Sequence, residues 1–202
     1  RVTLFADDTT VLERIPNFNL SILNQTIRDI DSWMRKNRLK CNVDKSKAVV
    51  FANKVNHCLN FEENQIAIKP QLKYLGLIID DKLTFCDHVL RLKNKLLYCN
   101  YIVLRTRNYL TKSQLLFYYK THVNPIIQYG ILIYGCTAYS NLDPILKIQK
   151  RIIRSIYFLP KYASVSDGMI ANELPTVYEL HVYELVMFIV KSIRCEHQDE
   201  KF

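Results

Sequence analysis

The chain has 202 residues, 49% of them hydrophobic, and a formal net charge of +9, enough for one or two compact domains with a real core and too apolar for a disordered tract. Residues 1–81 hold twelve Lys/Arg against ten Asp/Glu, residues 82–166 thirteen against two, and residues 167–202 three against seven, so the middle of the chain carries the whole excess. A field so concentrated suits a polyanion, nucleic acid before others, with an anionic membrane surface or a merely solvated helix face as alternatives.

The stretch VTLFADDTTVL, residues 2–12, sets strand-forming residues on either side of Asp7 and Asp8 and predicts a tight β-hairpin with both aspartates at its tip. Aspartate is a common turn residue. Two adjacent carboxylates with no lysine or arginine in the same eleven positions also suit a divalent cation, because Mg²⁺ takes one or two carboxylates together with substrate phosphates. Leu20, Leu23, Ile27, Ile30 and Met34 then fall at helical spacing, with Asn19 or Ser21 as N-cap and Asn37 near the stop. KAVVFA reads as a strand, HCLNFEENQIAIKP as two short strands around EENQ, and LKYLGLIID as a further strand broken by Gly76. From Thr84 the pattern turns helical. TFCD, TKSQ and TVYE each open a helix as a capping box, and Asn141 to Asp143 precede a helix with Pro144 at its first position.

The cysteines at 41, 58, 86, 99, 136 and 195 form no C-x-x-C pair, so neither a zinc module nor a disulfide framework is indicated and they read as buried thiols in a reducing, intracellular compartment. His57 beside Cys58 is too isolated to read as a ligand pair. Four glycines exclude a Gly-rich phosphate loop. The most apolar stretches, VNPIIQYGILIYG and HVYELVMFIVKSI, carry polar residues at intervals and read as buried helices, not membrane spans. No leader is visible at the start, and a chain that begins at Arg1 with a two-carboxylate hairpin reads as the C-terminal part of something longer.

Five elements in order carry a resemblance: FADD at the hairpin, an amphipathic helix with Trp33, Asn42 with Lys45 and Ser46 before a strand, Tyr74 to Gly76, and Leu83 to Phe85. Together they resemble the reverse transcriptases of non-LTR, LINE-type, jockey-like retrotransposons. The tyrosine-rich FYYKTHVNPIIQYGILIYG and the helix LKIQKRIIRSIY also resemble that family's thumb, so the likeness covers nearly the whole chain.

The resemblance implies an α+β fold: the C-terminal part of a polymerase palm over residues 1–81, a basic α-helical thumb over 82–166, and a post-thumb helical segment over 167–202. It implies RNA-directed DNA synthesis, in which a primer 3′-hydroxyl attacks a dNTP between two Mg²⁺ ions roughly 3.5 to 4 Å apart. Asp7 and Asp8 would serve the metals, and Lys45 would neutralise or protonate the leaving pyrophosphate. Tyr74, Leu75 and Gly76 would position the primer end. Arg91, Lys95, Arg105 and Arg107, with Lys147, Lys150, Arg151 and Arg154 on one face of a later helix, would hold the phosphates of an RNA template paired with a DNA primer. The nucleus and cytoplasm are the expected compartments. The family's further palm aspartate and its fingers precede FADD and are not in this chain, so the chain alone is expected not to polymerise. A remnant that only holds RNA or hybrid duplex is the binding-module alternative. A helical interaction domain with a solvated basic face is the structural one.

Overall fold

A computed structural model of the chain describes residues 2–6, 8–14, 20–51, 58–61 and 64–199. Asp7, Asn19, His57 and the first two residues of EENQ, Glu62 and Glu63, lie outside the described residues. The fold is α+β, and by contact it divides into two units, Arg1–Leu72 with Asp80–Lys82, and Lys73–Ile79 with Leu83–Phe202.

In the first unit β1 (Val2–Phe5) and β2 (Asp8–Val11) form the expected antiparallel hairpin, with Val2 opposite Val11 and Phe5 opposite Asp8. Ala6 turns the chain with a φ of +52°. Helix α1 (Leu20–Lys36) follows, and Ser21 lies inside its first turn, not at its cap. The helix ends where Asn37 Nδ2 donates to the Trp33 carbonyl (2.8 Å) and Arg38 takes a left-handed φ of +58°, the conformation that terminates helices. Leu23 and Ile27 pack around Ile66, which lies in the antiparallel pair β3 (Cys58–Phe61) and β4 (Asn64–Ala67), with Cys41, Val43, Ala48 and Ile68 completing the cluster.

The strand expected of KAVVFA is a correction. Among its described residues only Ala48 pairs, in a parallel bridge to Ile68, with its carbonyl accepting from Lys69 N–H (2.8 Å). A β-compatible run becomes a strand only where a neighbour satisfies its backbone, and no longer ladder is present there among the described residues.

A second correction concerns LKYLGLIID, which folds as a hairpin of β5 (Gln71–Tyr74) and β6 (Leu77–Asp80), not as one interrupted strand. Leu75 and Gly76 at its tip both have positive φ, +42° and +86°, the requirement of a two-residue type I′ turn.

The second unit is helical. Helix α2 (Cys86–Thr106) and α6 (Tyr139–Ile156) pack along each other. Asn141 Nδ2 donates to the Thr84 carbonyl at one end (3.3 Å) and Ser155 Oγ to Asn100 Oδ1 further along (3.2 Å), so the two run in the same direction. Leu96 and Val103 of the first meet a core that includes Ile145, Ile152, Ile153 and Ile156 of the second, each such side chain contributing about 1.5–3 kcal/mol on burial. The start of α2 departs from expectation: Phe85, buried and with φ +56°, is its N-cap and makes no side-chain cap bond, so Thr84 is not the cap. The start of α6 is also corrected, because the helix begins at Tyr139 and Pro144 sits in its second turn. The other two capping boxes form as expected. Thr111 and Gln114 open α3 (Lys112–Tyr118), and Thr176 and Glu179 open α8 (Val177–Asp199).

Between α3 and α4 (Asn124–Gln128) the backbone widens into a π-turn, Tyr119–Val123, in which Asn124 N–H reaches the Tyr119 carbonyl. Pro125 has no N–H for the carbonyl four residues back, and this wider turn precedes it. Gly130, with φ +72°, then separates α4 from α5 (Ile131–Tyr134); a Cβ there would lie 2.5 Å from Leu77 Cδ2, so the hairpin packs where only glycine fits. The short α7 (Ser166–Ala171) and α8 complete the same core through Met169, Val177 and Leu180. Among the described residues no helix is long and apolar enough to cross a membrane.

Candidate nucleic-acid interface

The tip of the β5–β6 hairpin is held against α4 within the second unit. Tyr129 Oη donates to the Leu75 carbonyl (2.5 Å), and a Cβ on Gly76 would stand 3.2 Å from the Tyr129 ring. Leucine at positive φ is strained, and this hydrogen bond offsets part of that cost. Tyr74 and Leu75 are half-buried while Gly76 is exposed, so of the three expected primer-positioning residues Gly76 is the most open to solvent.

Beside the tip lies a cleft of about 450 Å³. Its lining brings Lys73 from β5 together with Arg91 and Lys95, one turn apart on α2, and contains no carboxylate. The geometry follows from the sequence: His88, Arg91 and Lys95 are spaced three and four residues apart and so share one side of the helix. His88 is 7% exposed and its ring lies 5.0 Å from that of Tyr134. Its Nδ1 accepts from Ile78 N–H (3.4 Å), which leaves Nε2 to carry the proton of the neutral ring, and that atom is buried with no protein partner. Burial, then the charges of Arg91 and Lys95, lower its pKa from the usual 6.5, so the ring is neutral at physiological pH. The cleft therefore offers three cations above a neutral, buried histidine, a set suited to the oxygens of a phosphate.

The remaining basic residues divide by what they already hold. Arg105 is exposed on α2, whereas Arg107 at its end is half-buried with its guanidinium 5.0 Å from the Phe158 ring. On α6, Lys147 pairs with Asp143 (2.5 Å) and Arg154 Nε donates to the Ala163 carbonyl (2.8 Å). Lys150 is half-buried and Arg151 exposed. The shared face of Lys147, Lys150, Arg151 and Arg154 exists, but Arg154 is occupied in fixing the turn after its helix and Lys147 is tied within its own.

In the first unit Asp8 is exposed as the first residue of β2. Its oxygen donors suit a hard cation such as Mg²⁺, yet among the described residues no group of three His, Cys, Asp or Glu side chains could hold a metal ion. Lys45 is exposed at the end of a single 3₁₀ turn, Val43–Lys45, which Asn42 caps by accepting Lys45 N–H at Oδ1 (3.2 Å). Asn42 thereby has a clear local role, which is to set the backbone from which Lys45 projects.

Comparison with known proteins bears on what this arrangement belongs to. The chain is 28% identical over 174 residues to the RNA-directed DNA polymerase from mobile element jockey of Drosophila melanogaster, covering 82% of this chain and 19% of that protein. The jockey polymerase of Drosophila funebris is 27% identical over the same length and shares. The probable RNA-directed DNA polymerase from transposon X-element of Drosophila melanogaster is 31% identical over 129 residues, 61% of this chain and 14% of that protein. The chain is a relative of the jockey-like reverse transcriptases. It spans about a fifth of the length of the jockey polymerases it matches. No family model and no solved structure matches the chain.

Several residues that line the cleft escape a reading of motifs alone. Lys73, His88 and Tyr129 line the cleft with Arg91 and Lys95. The helical spacing of His88 with the two cations was available in the sequence. The approach of Lys73 and Tyr129 depends on tertiary folding and was not.

Proposed function

We propose that this chain is the palm-and-thumb portion of an RNA-directed DNA polymerase of a non-LTR element, and that its helical unit holds the template–primer duplex by its backbone. The observation that carries the proposal is the carboxylate-free cleft of Lys73, Arg91 and Lys95 beside the Leu75–Gly76 tip. Phosphate contacts of this kind fix a duplex in register without reading its bases. Asp7 and Asp8 are the carboxylates that Mg²⁺ would use; when bound, the ions stabilise the attacking and leaving oxygens of nucleotidyl transfer. The hairpin's part is to carry Asp8 on a two-strand support, and Lys45 would meet the negative charge of the departing pyrophosphate. Unit one leaves Leu4 68%, Phe5 62% and Leu12 62% exposed, apolar surface of the kind that a further palm segment would cover. The chain alone is accordingly proposed to bind duplex without extending a primer.

The test is Mg²⁺-dependent primer extension on an RNA template by the chain alone, by the chain joined to its native upstream segment, and by that longer form carrying Asp7→Asn. Extension by the intact longer form alone supports the reading; silence of the longer form overturns its catalytic part. In parallel, Arg91→Glu with Lys95→Glu is expected to weaken hybrid binding. Each lost phosphate contact makes the plot of log affinity against log salt shallower by roughly 0.9. Unchanged binding and slope overturn the grip.

A further inference from the structure

Along the solvent side of α2, Arg91, Asn94, Tyr98, Tyr101 and Arg105 recur at intervals of three and four residues, so they form one stripe about 21 Å long. Tyr98 and Tyr101 are 65% and 53% exposed, although a tyrosine usually spends its ring on packing. Their rings are nearly parallel, with centroids 6.5 Å apart and planes 26° from each other. The Arg105 guanidinium lies 5.7 Å from the Tyr101 centroid and continues the series of flat surfaces. Lys95 is exposed one residue off the stripe, so cations stand at both ends of the aromatic pair.

We propose that Tyr98, Tyr101 and Arg105 form a stacking platform for unpaired nucleotides, a single-stranded nucleic-acid site adjoining the duplex-binding cleft. The inference rests on the nucleic-acid reading of the helical unit and adds a strand class to it. Its physical basis is that a duplex buries the faces of its bases against one another, whereas an exposed ring can stack only on a base that is free. Aromatic rings interleaved with cations are the recurring means of holding single strands with little sequence preference, the cations meeting the backbone and the rings the bases. The charge of the stripe matches an anionic occupant: four residues of the set Arg91, Lys95, Arg105 and Asn94 bring three positive charges and no negative one. Nothing in the stripe selects the sugar, so RNA and DNA single strands are both admitted.

The experiment measures fluorescence anisotropy of the full chain with labelled twelve-nucleotide oligomers: single-stranded RNA, single-stranded DNA, the same single strand with abasic sites, and an RNA/DNA hybrid. Tyr98→Ala with Tyr101→Ala is expected to weaken single-strand binding at least about fivefold, the lower bound for losing one stacked base, and to leave hybrid binding within about twofold. Tyr98→Phe with Tyr101→Phe keeps the rings and is expected to retain wild-type affinity. The abasic strand is expected to bind wild type no better than the intact strand binds the alanine pair. Both positions are exposed, so a circular-dichroism melt of each variant identifies any loss that comes from unfolding. Equal single-strand affinity for wild type and the alanine pair, or equal binding of intact and abasic strands, overturns the platform while leaving the cleft untouched. Absence of binding to every oligomer, hybrid included, overturns both the platform and the duplex-binding reading beneath it.

Discussion

At the scale of the residue, His88 joins the fold's stability to the chemistry of the cleft. Its pKa is lowered in the folded protein, by burial first and then by Arg91 and Lys95. Below pH 6.5 the unfolded chain therefore binds a proton that the folded chain resists, and stability falls as the solution is made more acidic through that window. His88→Asn places an amide oxygen near the position of Nδ1, able to accept from Ile78 N–H without titrating. The variant is expected to show a flatter dependence of melting temperature on pH below 6.5 than wild type. An unchanged slope would show that His88 does not carry this linkage. The hairpin tip supplies a second residue-scale lesson. Gly76 marked a break in the sequence, but a leucine at φ +42° beside it gives no such signal. That turn is legible only through Tyr129, whose hydroxyl holds the Leu75 carbonyl from more than fifty positions away.

At the scale of the element, Gln149 shows how a polar residue in an apolar helix face can fasten several elements at once. It is fully buried, and its Nε2 donates to Tyr119 Oη (2.8 Å) and to the Pro175 carbonyl (2.7 Å) while Oε1 accepts from Val177 N–H (3.1 Å). It thereby ties α6 to the π-turn and to the start of α8. Burial, opposed by the bond from Gln149, raises the Tyr119 pKa, so that hydroxyl stays protonated. Gln149→Leu keeps the bulk but takes the partner from two buried groups, Tyr119 Oη and Val177 N–H, each costing about 1–3 kcal/mol, and from the half-buried Pro175 carbonyl. A loss of about 3 kcal/mol or more is expected by urea denaturation; a loss under about 1 kcal/mol would show that these groups find other partners. The capping boxes at Thr111 and Thr176 were readable because their chemistry is complete within four residues. The starts of α2 and α6 were not, because Phe85 is fixed by burial and Asn141 by its bond to the Thr84 carbonyl, contacts that no local pattern encodes. Likewise the strand expected at KAVVFA depended on a partner, and only Ala48 found one among its described residues.

At the scale of the whole molecule, the two units differ in what holds each together. The second buries a continuous set running from Leu77 through Leu96, Tyr119, Ile127 and Ile153 to Leu180. Among the residues of the first whose burial is described, Ile66 is the buried hydrophobic, at 9% exposed, with partly buried neighbours around it. Its hairpin β1–β2 is a two-stranded ribbon with Leu4 and Phe5 largely in water, and such a ribbon has marginal stability by itself. Local opening follows buried apolar contact, so segments with little of it open at a small fraction of the global free energy. Amide hydrogens of β1, β2 and α1 are therefore expected to exchange with solvent well before those of α2 and α6 in native conditions. Limited proteolysis is expected to leave a resistant fragment containing residues 83–194 as residues 2–51 are cut away. Joining the native upstream segment is expected to slow exchange in β1 and β2 specifically, because new apolar cover reaches those strands and not the core around Leu96. Equal protection of β1 and α2 in the chain as it stands would contradict this division of stability. Protection of β1 left unchanged by the upstream segment would instead remove the argument that the exposed hairpin face is where the rest of a polymerase palm docks.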